Sequence, residues 1–310
     1  MSTAIYFGKV NLISQEINEV LEKRNSLSLI LENTLAALKD GSKYIYERIL
    51  KVNDSVQTEE IEYSLSVKNK DEESIHGFLY KKSFIHYKEF NKHTGALDPR
   101  KIANTEGIEF YYDAFKERIG YQRSQRFGYK EVLEAFQGIL NSACEAAKLN
   151  YKYTVTQYNK GLDLSDIKKE INESGGIQTL NVKYQIPNPD SDILEALQND
   201  SEKTISEFEN ANLSSKSVIY QSYAQKGLNI DSEMINKELN NIETMHSHID
   251  AKRAMQCGYV VVETTSVDGV KRSSADSHPL IKTIEHDYEF KEAAKNTILA
   301  LSAHNIIVDC

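Results

Sequence analysis

The amino-acid sequence predicts an α+β protein with antiparallel sheets and flanking helices. Apolar steps of three and four residues mark amphipathic helices, most clearly over residues 132–147. Alternation with a period of two marks a half-buried strand, carried by Ile61, Tyr63, Leu65 and Val67. Candidate hairpins outnumber candidate β-α-β units, which argues against a Rossmann or TIM fold. Because 40% of the 310 residues are apolar, the chain can bury a core, and a wholly disordered protein is excluded.

The first half of the chain is predicted to be rich in strands. In order, we expect a strand at 4–13, a helical stripe at 16–39 with a break around 24–26 left open, strands at 61–67 and 78–90, a hairpin of 108–113 with 118–123, and a helix at 132–148. A boundary near Lys148 then separates a β-rich N-terminal domain, residues 1–148, from an acidic α/β C-terminal domain, residues 149–310.

The second half begins with the pattern of a split β-α-β unit. Its strands are expected at 151–158 and 177–186, around a short helix that starts at Asp163 or Ser165. Asn188 and Pro189 are typical of a helix start. Further on, we expect an ambiguous segment at 217–223, a long helix from Asp231 to near Gly258, a hairpin at 259–274 and a helix at 289–304.

Charge is distributed unevenly along the chain. Residues 76–130 hold eleven basic and six acidic residues, a balance of +5, whereas the whole chain carries −9 and the remainder therefore −14. Aromatic residues interleave with the basic ones, a composition that suits a groove for single-stranded nucleic acid, because cations neutralise phosphates and aromatic rings stack on bases. The predicted nucleic-acid or anion-binding residues are Lys81, Lys82, Lys88, Arg118, Tyr121, Arg123, Arg126, Tyr129 and Lys130.

The densest part of this basic segment, residues 118–130, ends at the start of a predicted helix, whose N-terminal amides would add to an anion site. A structural explanation stays open beside the binding one. Strand alternation could send the aromatic rings into the core and the lysines into water. A basic sheet face could equally dock on the acidic half of the same protein or on an acidic partner protein.

Catalytic and metal-binding patterns are weak. His246, His248 and Asp250 form a His-x-His-x-Asp string, but it lies in a helical pattern where side chains two apart diverge by about 200°, so we predict no metal site. Asp113, Glu117 and Glu263 are the candidate carboxylates of a nuclease core, which requires a Glu-x-Lys that Glu263 lacks. A metal-dependent nuclease or toxin effector stays as the enzymatic alternative. Glycine-rich phosphate loops are missing, and we expect no cofactor.

Cysteine use and hydropathy bear on location. Cys144, Cys257 and Cys310 are widely separated and odd in number, which fits a reducing compartment. The sequence contains no run of 18 apolar residues, so we predict no membrane span. Lys9 and Asn11 interrupt the first apolar stretch, which argues against a secretory signal. We therefore expect a soluble cytoplasmic protein. A third reading is a structural or scaffold homo-oligomer that assembles through the predicted helices at 16–39 and 231–257.

Three stretches of the chain carry a resemblance to a known family. The first is the strand and Pro-Asn-Pro-Asp turn at 180–190. The second is the strand-turn-strand-helix that includes 108–113 and 118–129, and the third is the closing hairpin with 258–263, 268–272 and 276–280. Together these stretches resemble a bacterial family of unknown function, domain of unknown function 4747. The resemblance implies a bacterial antiphage-defence or stress-response component and supplies no catalytic residues. Whether the protein is an enzyme is left open, and binding of nucleic acid or a partner protein is the leading expectation.

Overall fold

The computed structural model describes residues 2–52, 55–93, 95–159, 168–169, 176–185, 211, 213, 215–244, 251–256, 258–275, 279–286 and 289–302. Over these residues the chain forms two antiparallel sheets with six helices, which confirms the α+β class. One sheet has eight strands and the other has four.

The large sheet is built mostly from the first half of the chain. Its strands are β1 (Thr3–Leu12), β2 (Lys43–Val52), β3 (Ser55–Lys70), β4 (Ser74–Phe90), β5 (Leu97–Asp113), β6 (Arg118–Tyr121), β7 (Tyr153–Gln157) and β12 (Ile281–Ile284). They lie in the order β12-β1-β6-β5-β4-β3-β2, with β7 also paired to β1. Since β7 and β12 follow residue 148, this sheet draws strands from both sides of the boundary expected there.

Helices cover both faces of the large sheet. Helix α1 (Glu16–Leu21) precedes α2 (Leu27–Ala37), and α2 packs with α3 (Tyr129–Ala146) on one side of the sheet. Phe136 of α3 packs its ring on Phe110 and Tyr112, at centroid distances of 5.8 and 5.2 Å. The opposite face is covered by α6 (Phe290–Ser302), where Phe290 stacks on His76 of β4. The sheet is therefore a middle layer, buried on two sides wherever these helices reach it.

The small sheet is formed by the second half of the chain, and one helix is hydrogen-bonded to it. Its strands β8 (Ile177–Gln185), β9 (Ser215–Gln221), β10 (Val260–Ser266) and β11 (Lys271–Ser273) have the order β11-β10-β8-β9. Helix α4 (Glu233–Thr244) lies close enough for Tyr184 to donate a 2.6 Å hydrogen bond to Glu238, and α5 (Ala251–Gln256) precedes β10. The expected hairpin over 259–274 is confirmed by the pairing of β10 with β11.

The expected split β-α-β unit is wrong. Strand β7 pairs with β1, where Val155 lies opposite Val10, whereas β8 pairs with β10 in the other sheet. The two strands share no sheet, so they cannot form that unit. The helix expected between them and the helix start at Asn188 lie largely or wholly outside the described residues, and so do His246, His248 and Asp250.

Other differences concern element lengths. The stripe at 16–39 is two helices, separated near Lys23, whose φ of 60° is left-handed. Strands β2 and β12 were not predicted, and the ambiguous segment near 217–223 is β9. Helices α4 and α5 occupy parts of the expected long helix. None of the helices in the described part of the chain has the length and apolar character required to cross a bilayer.

Candidate nucleic-acid interface

Strands β4 and β5 stay paired with each other beyond the residues where β4 pairs with β3 and β5 pairs with β6. Described pairing of β3 with β4 ends at Glu62 and Lys82, and β6 pairs with β5 only from Phe110 to Asp113. The β4–β5 register nevertheless runs without interruption to Phe90 opposite Leu97. We call residues 83–90 and 97–104 the outer ribbon.

The two faces of the outer ribbon differ in chemistry because strand side chains alternate. One face, which we call the basic face, starts at Lys82 at the base of the ribbon. It carries Lys82, Phe84, His86, Lys88 and Phe90 from β4, and Lys101 and Leu97 from β5. All seven side chains are exposed, so basic and aromatic groups alternate along one accessible surface.

A close contact between the two strands organises the basic face. The Lys101 Nζ atom lies 4.5 Å from the centre of the Phe84 ring, within the range of a cation–π interaction. Phe84 keeps 37% of its surface exposed and Phe90 keeps 59%. A planar ligand could reach the Phe90 ring directly, whereas stacking on Phe84 would use the ring face that Lys101 does not cover.

Acidic side chains of β3 meet the base of this face. Glu62 accepts a 2.7 Å hydrogen bond from Lys82, and this bond lowers the pKa of Glu62. Glu59 pairs with His86 at 2.7 Å and also with Arg48. Burial raises the pKa of Glu59, but the hydrogen bonds from His86 and Arg48 outweigh it and hold that pKa below its ordinary value. Lys101 lies opposite His86, and Lys88 lies one step farther out on the same face.

A second group of predicted residues lies around the start of α3. Lys81 donates a 2.7 Å hydrogen bond to the carbonyl oxygen of Arg126 and pairs at 2.8 Å with Glu131. Glu131 stands in the first turn of α3 and also accepts a 2.6 Å hydrogen bond from Tyr63. A carboxylate thus already occupies the surroundings of this helix start, which weakens the expected anion site there.

Aromatic stacking holds the remaining residues of this second group. Tyr129 stacks on Tyr6 with an interplanar angle of 8°, and the Arg123 guanidinium lies 5.2 Å from the Tyr6 ring centre. Arg126 approaches Glu106 at 3.9 Å, and Lys130 is exposed in the first turn of α3. These residues lie together, but local acidic or aromatic partners engage most of them.

Arg118 and Tyr121 do not share either surface, because both lie in the core. Arg118 is 1% exposed and donates a 2.7 Å hydrogen bond to the Ser302 hydroxyl of α6. Tyr121 is 0% exposed and donates a 2.8 Å hydrogen bond to Gln157 of β7. Strand β6 is central in the large sheet, so its side chains are covered on both faces. These two residues therefore do not belong to the binding surface expected from the sequence.

The prediction from sequence left out five residues of the basic face: Phe84, His86, Phe90, Leu97 and Lys101. The signal was present, because Lys82, Phe84, His86, Lys88 and Phe90 all share one parity in β4. Even-numbered residues of one strand point to the same face of the sheet. Strand alternation therefore cannot send these aromatic rings into the core and these lysines into water. What the sequence lacked was the observation that neither helix layer reaches this face.

The residues considered for nuclease chemistry are not assembled into one site. Glu117 forms a buried ion pair with Lys9 at 3.2 Å, and burial raises the pKa of the nearby Asp113. Glu263 lies in the small sheet, where it pairs with Lys183 at 2.7 Å. Over the described ranges there is no group of three or more His, Cys, Asp or Glu side chains that could hold a metal ion.

Comparison with known proteins identifies the family. No curated protein matches the chain significantly. A family model described as domain of unknown function (DUF4747) matches residues 60–301, which include the outer ribbon, α3 and the small sheet. This match confirms the resemblance that the sequence motifs indicated. The chain belongs to the DUF4747 family, a family of unknown function.

Proposed function

We propose that this protein binds single-stranded nucleic acid along the basic face of the outer ribbon. The observation that carries the proposal is the exposed alternation of Lys82, Phe84, His86, Lys88 and Phe90 on one strand face. Lysines supply a charge that neutralises phosphates, and the aromatic rings supply faces for unpaired bases. Successive side chains on one strand face are about 6.6 Å apart, which is close to the spacing of extended nucleotides.

The chemistry of this face favours single strands over a duplex. Base stacking on Phe84 and Phe90 requires bases whose faces are free, and a paired helix offers only its edges and backbone. The basic face has no Arg, Asn or Gln, whose planar groups read base edges with two hydrogen bonds, and its lysines suit phosphates as point charges. We therefore expect little dependence on base sequence and a strong dependence on salt.

A biological role in antiphage defence or stress response, in the bacterial cytoplasm, is part of the same proposal. The family resemblance supports the role, and the separated cysteines support a reducing compartment. In this role the protein would act by binding. An acidic partner protein would use the same lysines but would not require the exposed aromatic rings. The exposed rings therefore favour nucleic acid over an acidic protein as the proposed partner.

Fluorescence anisotropy with labelled 20-nucleotide single strands and matched duplexes, of DNA and of RNA, tests the proposal at low salt. We expect the wild type to bind single strands more tightly than duplexes, and the triple variant Phe84→Ala, Lys88→Ala, Lys101→Ala to lose that binding. The matched control is Lys237→Ala with Tyr223→Ala, which removes an exposed lysine and an exposed aromatic ring elsewhere. Equal loss in the control, or no binding to any strand, would overturn the proposal.

A further inference from the structure

The opposite face of the outer ribbon, which we call the mixed face, is partly apolar and exposed. It carries Ile85, Tyr87 and Glu89 from β4, opposite Ile102, Arg100 and Asp98 from β5. Tyr87 is 47% exposed and Ile102 is 57% exposed. Deeper in the sheet the same side of β4 and β5 holds Leu79 and Phe110, both fully buried. The mixed face is thus the core face of the sheet where it continues past α3.

A two-stranded ribbon with apolar groups exposed on it is an unusual way to end a sheet. Isolated two-stranded hairpins are marginally stable in water and generally need a packed face. Eight consecutive residue pairs, from Ser83 opposite Asn104 to Phe90 opposite Leu97, make up this ribbon. Exposed apolar residues arranged contiguously in this way are typical of a surface that another molecule covers.

The charged residues around the mixed face indicate which kind of molecule could cover it. Around the apolar centre lie two acidic residues, Glu89 and Asp98, and one basic residue, Arg100, which pairs with Glu89 at 3.0 Å. A polyanion would be repelled by the two carboxylates. A second copy of the same face, turned about a two-fold axis, brings each Arg100 towards the acidic pair of the other copy and stacks apolar centre on apolar centre.

We propose that two copies of this chain associate through their mixed faces, with the ribbons packed face to face. Sheets packed in this way lie about 10 Å apart, so Tyr87 and Ile102 would interdigitate with those of the other copy. The basic faces then point outward on both sides of the pair. The inference concerns self-association alone and does not depend on the binding of nucleic acid.

The size of the ribbon limits the strength of this contact. Eight residue pairs span roughly 25 Å, which is a small interface. We expect a reversible dimer with a Kd on the order of micromolar, which forms without a change in fold. The association should therefore depend on protein concentration over the range that sedimentation can cover.

Sedimentation velocity from about 1 to 200 µM, in the absence of nucleic acid, tests the inference with the full chain. The wild type should shift from the 35.3 kDa monomer to a dimer, and Ile102→Asp and Tyr87→Asp should each stay monomeric. Ile219→Asp is the matched control, because Ile219 is 62% exposed on a strand of the small sheet, and it should still form the dimer. Circular dichroism verifies that each variant is folded.

A charge exchange makes the test specific for the mixed face. Arg100→Glu places three acidic residues on each copy and should abolish the dimer. The double variant Arg100→Glu with Glu89→Arg restores one basic residue to the face and should recover the dimer. A wild type that stays monomeric throughout, or a dimer that survives Ile102→Asp, would overturn the inference.

Discussion

The Lys101 ammonium lies 4.5 Å from the centre of the Phe84 ring on the neighbouring strand, and both side chains are exposed. This pair brings a positive charge and an aromatic face together at the middle of the outer ribbon. A base stacked on Phe84 would place its phosphate within reach of Lys101. The affinity for single-stranded nucleic acid should therefore depend more on this pair than on any other contact.

Replacing the ring should weaken binding strongly. We expect Phe84→Ala to lower the affinity for single strands by about 5- to 150-fold, which corresponds to about 1–3 kcal/mol for one lost stacking contact. Phe84→Tyr keeps the aromatic face and should bind like the wild type. Anisotropy titrations of the three proteins measure the effect, and equal binding by Phe84→Ala and the wild type would rule out stacking on this ring.

Salt dependence reports how many lysines contact phosphates. Each phosphate contact to a single strand contributes about −0.7 to the slope of log K against log salt concentration. Lys88→Ala and Lys101→Ala should therefore each make the slope less negative by roughly that amount. Lys81→Ala should leave the slope unchanged, since Lys81 is engaged by Glu131 at the start of α3. A larger effect of Lys81→Ala on the slope would indicate that the nucleic acid contacts the start of α3 instead.

The sequence predicted the fold class and most elements because periodicity reports which side chains face a core. It placed the binding residues less well. Arg118 and Tyr121 carry the expected chemistry, but their strand lies between β1 and β5, and strand order is a long-range property that local spacing does not contain. The basic face was missed for a related reason, since the ends of α3 and α6 decide which part of β4 stays uncovered.

Glu59 links the base of the ribbon to β2 through His86 and Arg48. Its pKa is lowered in the folded protein, so the fold favours the charged form. The resulting stability is fully present above the ordinary pKa of 4.5 and is lost as the pH falls through the lower, folded value. We expect Glu59→Gln to reduce the free energy of unfolding by about 1 kcal/mol at pH 7 and by less at pH 3.

Urea unfolding at the two pH values measures this dependence. Glu60→Gln is the control, because Glu60 is exposed and lies opposite Glu47, a like-charged neighbour. Its removal should leave stability unchanged or raise it slightly. A loss in Glu59→Gln that is the same at both pH values would show that the charge of Glu59 contributes nothing.

Gly77 allows β3 and β4 to approach closely next to the β3 irregularity between Val67 and Asn69. A Cβ atom at Gly77 would lie 2.0 Å from the Ser66 carbonyl oxygen, a backbone atom that cannot move away alone. We expect Gly77→Ala to lower the free energy of unfolding by about 1–3 kcal/mol or more. Gly128→Ser has open space around the added atoms and should be neutral or slightly stabilising, as thermal unfolding would show.

Single-strand binding by the basic face is best tested by the affinity of the wild type for a labelled 20-nucleotide strand, compared with the variant that lacks Phe84, Lys88 and Lys101. The wild type should bind the single strand in a salt-sensitive way and the duplex more weakly. The triple variant should lose this binding, while Lys237→Ala with Tyr223→Ala should keep it. An unchanged single-strand affinity in a folded triple variant would show that the basic face is not the binding surface.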